Sequence, residues 1–401
     1  MIGDDDGGRL IALDSLGPGD VRGLMALCAV TLKRGDLKTI AGDCTEAAWW
    51  LWGQKGIDTY DALRDSKPEE TGAVFPETGY AFLRGGWVNE SAVVSMDAGP
   101  LGAGNCGHAH SDALSLTLAV GGRQIITDPG SYSYTLDPDK RNHFRSIEAH
   151  SAPYIEGRPT SIPSDSPFQW RKIEDPSRFS PCFVGWEMDM LAAENHSHAA
   201  PCFPVNLIRK VIFLKPKNLL FIWDFFGGTG DNAGVSQFIL GGSDWKVNSD
   251  GASFNPAPGS AVNIQAVGDL PLGMHLDPFD VSPAYLQMEI GFRLRFRRAG
   301  RLPAMIVTVV NWGSERPDMK ISLSSSSTVK LQCGAETVWC FVATDEKAQS
   351  GDEFETDASA ACVVARDERI EAAWALNVSR LACFSKPLLN SDHVIRRWRW
   401  V

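Results

Sequence analysis

The spacing of hydrophobic and polar positions changes character near residue 70. Residues 21–32 carry Leu24, Leu27, Cys28 and Thr31 at helical intervals, and residues 45–52 place Ala47, Ala48, Trp49, Trp50 and Leu51 behind a capping signal at Asp43 and Thr45. That stretch predicts helices. From about Phe75 onward the chain reads as short β-rich runs bounded by Gly, Pro, Asn and Asp, at 92–96, 114–120, 123–127, 208–214, 219–225, 286–296, 305–311, 338–343 and 361–365. Many strands without intervening helices imply antiparallel sheets packed face to face. The expected fold is therefore mainly β, a large two-layer antiparallel β-sandwich preceded by a short helical segment. Residues 1–72 form the helical segment, 73–325 the sandwich and 326–401 a C-terminal β-region, with the serine run 324–327 marking the second boundary.

Several local patterns take structural readings. Gly227-Gly228-Thr229-Gly230-Asp231 and Gly241-Gly242-Ser243-Asp244 are hairpin turns, since strands follow where a phosphate loop needs a helix N-terminus. Arg293, Arg295, Arg297 and Arg298 alternate with Leu294 and Phe296 as a strand with a solvated charged face. Arg396-Arg397-Trp398-Arg399-Trp400 reads as a final amphipathic strand, and Glu194-Asn195-His196-Ser197-His198 as a loop. The Trp49-Trp50-Leu51-Trp52 cluster is expected as core between helix and sheet, with stacking on sugar rings as the alternative.

Charge and length then exclude classes of function. The 401 residues carry 49 Asp and Glu against 38 Lys and Arg, a net charge of -11, which is a poor balance for gripping a phosphate backbone. Nucleic acid is not an expected partner. The longest apolar runs fall far short of the ~18 residues of a membrane helix, so no membrane span is expected. Nine cysteines, without a CxxC pair, read as mostly buried thiols. The first residues, Met1-Ile2-Gly3-Asp4-Asp5-Asp6, are acidic where a secretory signal is basic and then apolar.

The chemistry concentrates between residues 104 and 161. In His108-Ala109-His110-Ser111-Asp112-Ala113-Leu114-Ser115 an extended conformation would put His108, His110 and Asp112 on one face, where two imidazoles can reach one cation. Gly121-Gly122 can turn the chain back toward Asp128-Pro129-Gly130, which holds a carboxylate at a strand end. A tight turn there pairs Asp128 with Ser115 and leaves His110 ~17 Å too far along, so either His110 bends back or the turn is wider. Arg141 and Arg145 precede Glu148-Ala149-His150-Ser151, adding a third imidazole and two guanidiniums suited to carboxylate or sulfate. Two histidines and an aspartate make a zinc set with an open position.

The ordered set His108 to Ser115, Asp128-Pro129-Gly130-Ser131-Tyr132-Ser133-Tyr134, Arg141, Arg145-Ser146, Ala149-His150 and Glu156-Gly157 resembles the heparinase II/III-like polysaccharide lyases, which include alginate and oligoalginate lyases. The resemblance implies an α/α toroid ahead of a two-layer β-sandwich, and Gly3-Asp4-Asp5-Asp6-Gly7 resembles the segment near the toroid's end. Residues 1–72 would then be a toroid remnant, and the chain the C-terminal part of a longer enzyme whose catalytic groups lie partly on toroid helices. A full-length parent would belong to the periplasm or cell envelope, with the cytoplasm as alternative. Carried over residue by residue, the resemblance makes His110, Asp128 and His150 the zinc ligands and turns His108 toward the substrate cleft, with Tyr132 or Tyr134 lining it.

The implied activity is β-elimination on a uronate-containing polysaccharide or oligosaccharide, with His108, Tyr132 and Tyr134 as catalytic candidates, Arg141 and Arg145 as substrate-binding candidates, and zinc in a structural or orienting role. The partner is an acidic polysaccharide, and homodimerisation is left open. Two rival readings are a non-catalytic carbohydrate-binding module with structural zinc, and a zinc hydrolase using Asp112 or Glu148 as base.

Overall fold

The structure is a computed structural model and describes residues 3–4, 7–8, 15–17, 19–173, 176–198, 205–257, 260–314, 319–343, 349–350 and 354–400. Helices Arg22–Leu32, Gly35–Ala41 and Glu46–Ala62 come first, followed by almost uninterrupted antiparallel strands. The helices share a small core of Ala26, Ala29, Ala41, Ala48 and Tyr60. Trp49, Trp50, Leu51 and Trp52 do not join it or the sheets. They are 44 to 59% exposed, a correction to the core placement expected from sequence. The kink at Gly53, whose φ is +60°, ends the regular helix right after them.

Three sheets stack. The first runs Gly72–Phe75, Tyr80–Arg84, Ala92–Asp97, Leu116–Val120, Arg123–Ile126, Asp231–Leu240, Glu289–Arg301 and Gly273–Val281 in spatial order. The middle sheet has Val205–Leu214, Leu219–Gly228 and Ala304–Ser314 at its centre, and their near-continuous apolar sequence follows from burial on both faces. Leu83, Val94, Leu118, Phe238 and Leu294 of the first sheet pack on Leu207, Val211, Ile222 and Val310 of the middle one. This is the expected sandwich. A third sheet, built on Glu336–Val342, Ala360–Arg366 and Arg369–Cys383, covers the far face of the middle sheet through Ile212, Phe221, Trp223, Val338, Cys340 and Trp374.

Other local readings resolve similarly. Residues 194–198, expected as a loop, end the strand Met188–His198, which keeps pairing with Val205–Leu214 across a bulge between Asn195 and His198. The arginine strand Glu289–Arg301 presents Arg295 to Asp277 at 2.6 Å and Arg297 to Glu156 at 2.7 Å. Residues 386–400 form the strand expected at the C-terminus, paired antiparallel with Arg369–Cys383 in the third sheet. Among the described residues, no helix is long and apolar enough to cross a membrane.

Candidate active site and cation site

The site is assembled by three loops at one end of the first sheet. Gly121-Gly122 makes the tight turn that the sequence predicts, but Leu118 pairs with Ile126 whereas Ala119 pairs with Gln124, so Ile125 is bulged. Residues 108–115 are not a strand. The chain folds back there, the Ser115 amide donating to the Asp112 carbonyl at 2.8 Å and Leu114 taking a φ of +64°. The bending back required by hairpin geometry thus occurs, and it brings Asp112 beside Asp128. The third loop follows helix Pro138–Phe144, which Asp137 caps by accepting from the Lys140 amide, and passes through the short turn Ile147–Ala149 to His150.

Asp112, Asp128 and His150 bring ligand atoms within 4.8 Å of one another. Asp128 Oδ2 lies 3.1 Å from His150 Nδ1, and its Oδ1 accepts from the Gly130 amide at 2.9 Å. His150 is fully buried, and its Nε2 has no hydrogen-bond partner. Burial opposes ionisation of Asp128, yet the neighbouring His150 charge and hydrogen bond bring it down to about 2. Asp97 behaves oppositely: burial, with the nearby Asp128 charge, pushes it up to about 6 despite hydrogen bonds from the Gly99 amide and Tyr80. A pocket of about 420 Å³ lined by Asp4, Tyr80, Asp97, Asp112, Thr117 and Asp128 opens on this group. Crowded carboxylates beside an orphaned buried imidazole nitrogen have the donor chemistry of a cation site.

His110 lies against the same group, its ring centre 5.2 Å from that of His150, but its Nε2 is 2.9 Å from Asp4 Oδ1. Burial holds the His110 imidazole below its ordinary pKa. The Asp4 carboxylate also reaches His108 Nδ1 at 3.1 Å and takes a two-pronged grip from Arg141, through Nη1 on Oδ1 and Nη2 on Oδ2, the latter at 2.7 Å. Burial raises the carboxyl pKa of Asp4, but the hydrogen bonds from His110 and Arg141 outweigh it and leave it lowered. The His108 side chain, 71% exposed, stands at the edge of a pocket of about 490 Å³.

Of the tyrosines, Tyr134 packs edge-on to His108 at 5.8 Å and also meets Phe168 and Tyr285. Tyr132 stacks on Phe144 under the Lys140 ammonium. Arg141 and Arg145 are completely buried. Beyond Asp4, Arg141 donates to the Pro167 and Gly107 carbonyls, while Arg145 donates to Asn142 Oδ1 and the carbonyls of Ser164, Ser166 and Pro167. The chain spends both guanidiniums on binding its own loops.

Two supports were not legible as site residues in the sequence. Asp4 was visible as part of an acidic stretch and of the segment resembling a toroid's end, not as a partner of the histidines. Arg209, inside an apolar strand, pairs with Asp224 at 2.6 and 2.8 Å and donates to the carbonyls of Leu114 and Ser151. A charged residue within such a run is the one sequence signal for it, since a buried arginine needs partners. Ser151 completes the junction: its hydroxyl donates to the Thr127 carbonyl and accepts from the Ile239 amide, tying the His150 loop to the Asp128 loop.

The family model described as heparinase II/III-like, C-terminal, matches residues 67–378. A search of curated proteins finds no match. Among solved structures, the heparan sulfate lyase HepC from Pedobacter heparinus superposes with a TM-score of 0.63 at 16% identity, over 96% of this chain and 50% of that one. A heparinase III, the BT4657 gene product with methylated lysines, gives 0.62 at 14% identity, over 92% of this chain and 48% of that one. The chain spans about half the length of these structures, and the likeness is one of fold.

Proposed function

This chain belongs to the heparinase II/III-like family, and from that premise we propose that it is the β-rich part of a polysaccharide lyase that cleaves a uronate-containing polysaccharide by β-elimination. The observation that carries the reading is His108: an exposed imidazole, held on its Nδ1 side by a buried carboxylate and flanked by the Tyr134 ring, at the mouth of a pocket that Tyr80, Asn105 and His110 also line.

In the elimination the C5–H bond breaks, its electron pair forms the C4–C5 double bond, and the C4–O4 bond breaks as the leaving oxygen takes a proton. His108 Nε2 is the group to accept the C5 proton, and the Tyr134 hydroxyl is the nearer phenol to donate to O4. Tyr132, stacked on Phe144 beneath the Lys140 ammonium, is the second phenol candidate. The substrate class is an acidic polysaccharide or oligosaccharide. Asp112, Asp128 and His150 would hold a cation such as zinc, with the His110 ring packed beside His150, and the orphaned His150 Nε2 fits that role. When bound, such an ion supplies positive charge that braces the loops. The residues themselves fix the geometry: Asp128 orients His150, Ser151 joins their loops, and Arg141 anchors Asp4.

One observation favours a second reading, a non-catalytic carbohydrate-binding module: with Arg141 and Arg145 buried, neither guanidinium is offered to a sugar carboxylate. The test is turnover of heparan sulfate, alginate, hyaluronan and chondroitin oligosaccharides, followed by the absorbance of the unsaturated uronate product. Unsaturated product is expected. Binding without turnover would favour the module, and cleavage without the double bond would favour a hydrolase.

A further inference from the structure

Asp4 is remote in sequence from every other group at the site, yet one carboxylate meets both histidines of the His-x-His pair. Its Oδ2 is 3.1 Å from His108 Nδ1 and its Oδ1 is 2.9 Å from His110 Nε2, while Arg141 grips both oxygens. The side chain is 1% exposed, and the backbone is bolted down as well: the Asp4 amide donates to the His108 carbonyl at 2.9 Å. Gly3 has a φ of +61°, and a Cβ there would sit 2.7 Å from the same carbonyl, so the close approach needs glycine.

An ionised carboxylate can only accept hydrogen bonds. Both ring nitrogens facing Asp4 must therefore carry a proton. A neutral imidazole has one donor and one acceptor, so the opposite nitrogens, Nε2 of His108 and Nδ1 of His110, carry the lone pairs. The two histidines meet the carboxylate through different nitrogens, which points one lone pair toward the exposed pocket mouth and leaves the other on a ring packed against His150. We propose that Asp4 is a positioning residue that sets the tautomers of His108 and His110 together, presenting His108 Nε2 unprotonated to the substrate. The last clause rests on the lyase reading above, whereas the tautomers themselves do not.

The tautomers can be read directly from ¹⁵N-histidine-labelled protein by long-range proton–nitrogen correlation at a pH above the imidazole range, with His108→Gln and His110→Gln assigning the signals. The wild-type spectrum is expected to show His108 protonated on Nδ1 and His110 on Nε2. His108 protonated on Nε2 in the wild type would overturn the proposal without Asp4→Asn having to fold. In Asp4→Asn the carboxamide presents a donor where a carboxylate oxygen accepted, so at least one of the two rings is expected to reverse its tautomer. Unchanged tautomers in that variant, with its circular dichroism intact, would also overturn it.

On a uronate oligosaccharide, Asp4→Asn is expected to lower kcat ten- to a thousandfold with KM changed less than about threefold, the split expected when a base is misoriented rather than a binding surface lost. A KM rise as large as the kcat loss would mean that Asp4 only shapes the pocket, and would overturn the positioning role. Absence of turnover in the wild type would sink the lyase reading, while the tautomer measurement would still decide on Asp4.

Discussion

Arg209 donates to the Ser151 carbonyl at 2.8 Å while its guanidinium stays paired, fully buried, with Asp224. A charge in the middle sheet thereby fixes the backbone next to His150, and through a second bond at 2.9 Å to the Leu114 carbonyl it also fixes the loop carrying Asp112. The candidate cation site is held from behind by the sandwich core.

Removing this support should be costly. Arg209→Met leaves Asp224 buried and short of its partner, with Ser236 alone among the described residues still donating to its side chain. Loss of one member of a buried pair costs about 3–5 kcal/mol. Denaturant unfolding should show a loss of that order together with weaker cation binding. Full stability with unchanged cation binding would show that the loops are positioned without Arg209.

The cation site makes a separate prediction. Purified protein should carry about one divalent ion per chain by elemental analysis, and Asp128→Asn and His150→Ala should lose it. His196→Ala, at a residue that pairs with Glu194, should keep it. An ion at a hundredfold its Kd adds about 2.7 kcal/mol to stability, so chelation should lower the melting temperature of the wild type but not of the two site variants. Equal metal content in all samples would remove the site.

Stability against pH follows from two aspartates pulled in opposite directions. In metal-free protein Asp128 is held down to about 2, so its contribution is present above the unfolded value near 3.8 and is lost as pH falls toward 2. Asp97 is pushed up to about 6, so folding takes up a proton and its contribution shrinks as pH rises from 3.8 to 6. These two groups therefore favour a stability maximum near pH 4 without metal. Asp97→Asn should flatten the upper limb, a difference of up to about 3 kcal/mol on an order-of-magnitude scale. A limb of unchanged slope in that variant would assign the effect elsewhere.

How much of this the sequence disclosed depends on the range of the interaction. Leu116, Leu118 and Val94 announce their strands because alternation is local, and the buried face they share is the one observed. Asp128 and His150 were legible as partners, and the structure joins them. The role of Asp112 depended on a turn at Leu114 with positive φ, which the sequence does not signal because leucine rarely adopts it. Asp4 and Arg141 meet across 137 residues, and no periodicity encodes such a contact. Trp49 to Trp52 looked like core because large apolar side chains usually are, and among the described residues nothing covers them.

That exposure is itself testable. Trp50 is 59% exposed, so Trp50→Ser should change stability by no more than about 0.5 kcal/mol, and its fluorescence should be open to acrylamide. A loss of several kcal/mol would mean that the tryptophan is buried in solution, against another part of this chain or a second molecule.

The last prediction separates His108 from His110, two residues apart and on one carboxylate. His108 is largely solvated, so His108→Gln should cost under about 1 kcal/mol and leave the cation in place. His110 is buried against His150 and donates to a buried carboxylate. Its loss leaves that carboxylate short of a donor, so His110→Gln should cost about 1–3 kcal/mol and weaken cation binding. Activity should order the variants differently. If His108 is the base, His108→Gln loses about 10² to 10⁴ in kcat despite its intact fold, because no other exposed imidazole stands beside Tyr134 among the described residues. Loss of the cation on His108→Gln, or retained turnover with the cation in place, would break the division of labour between the two rings.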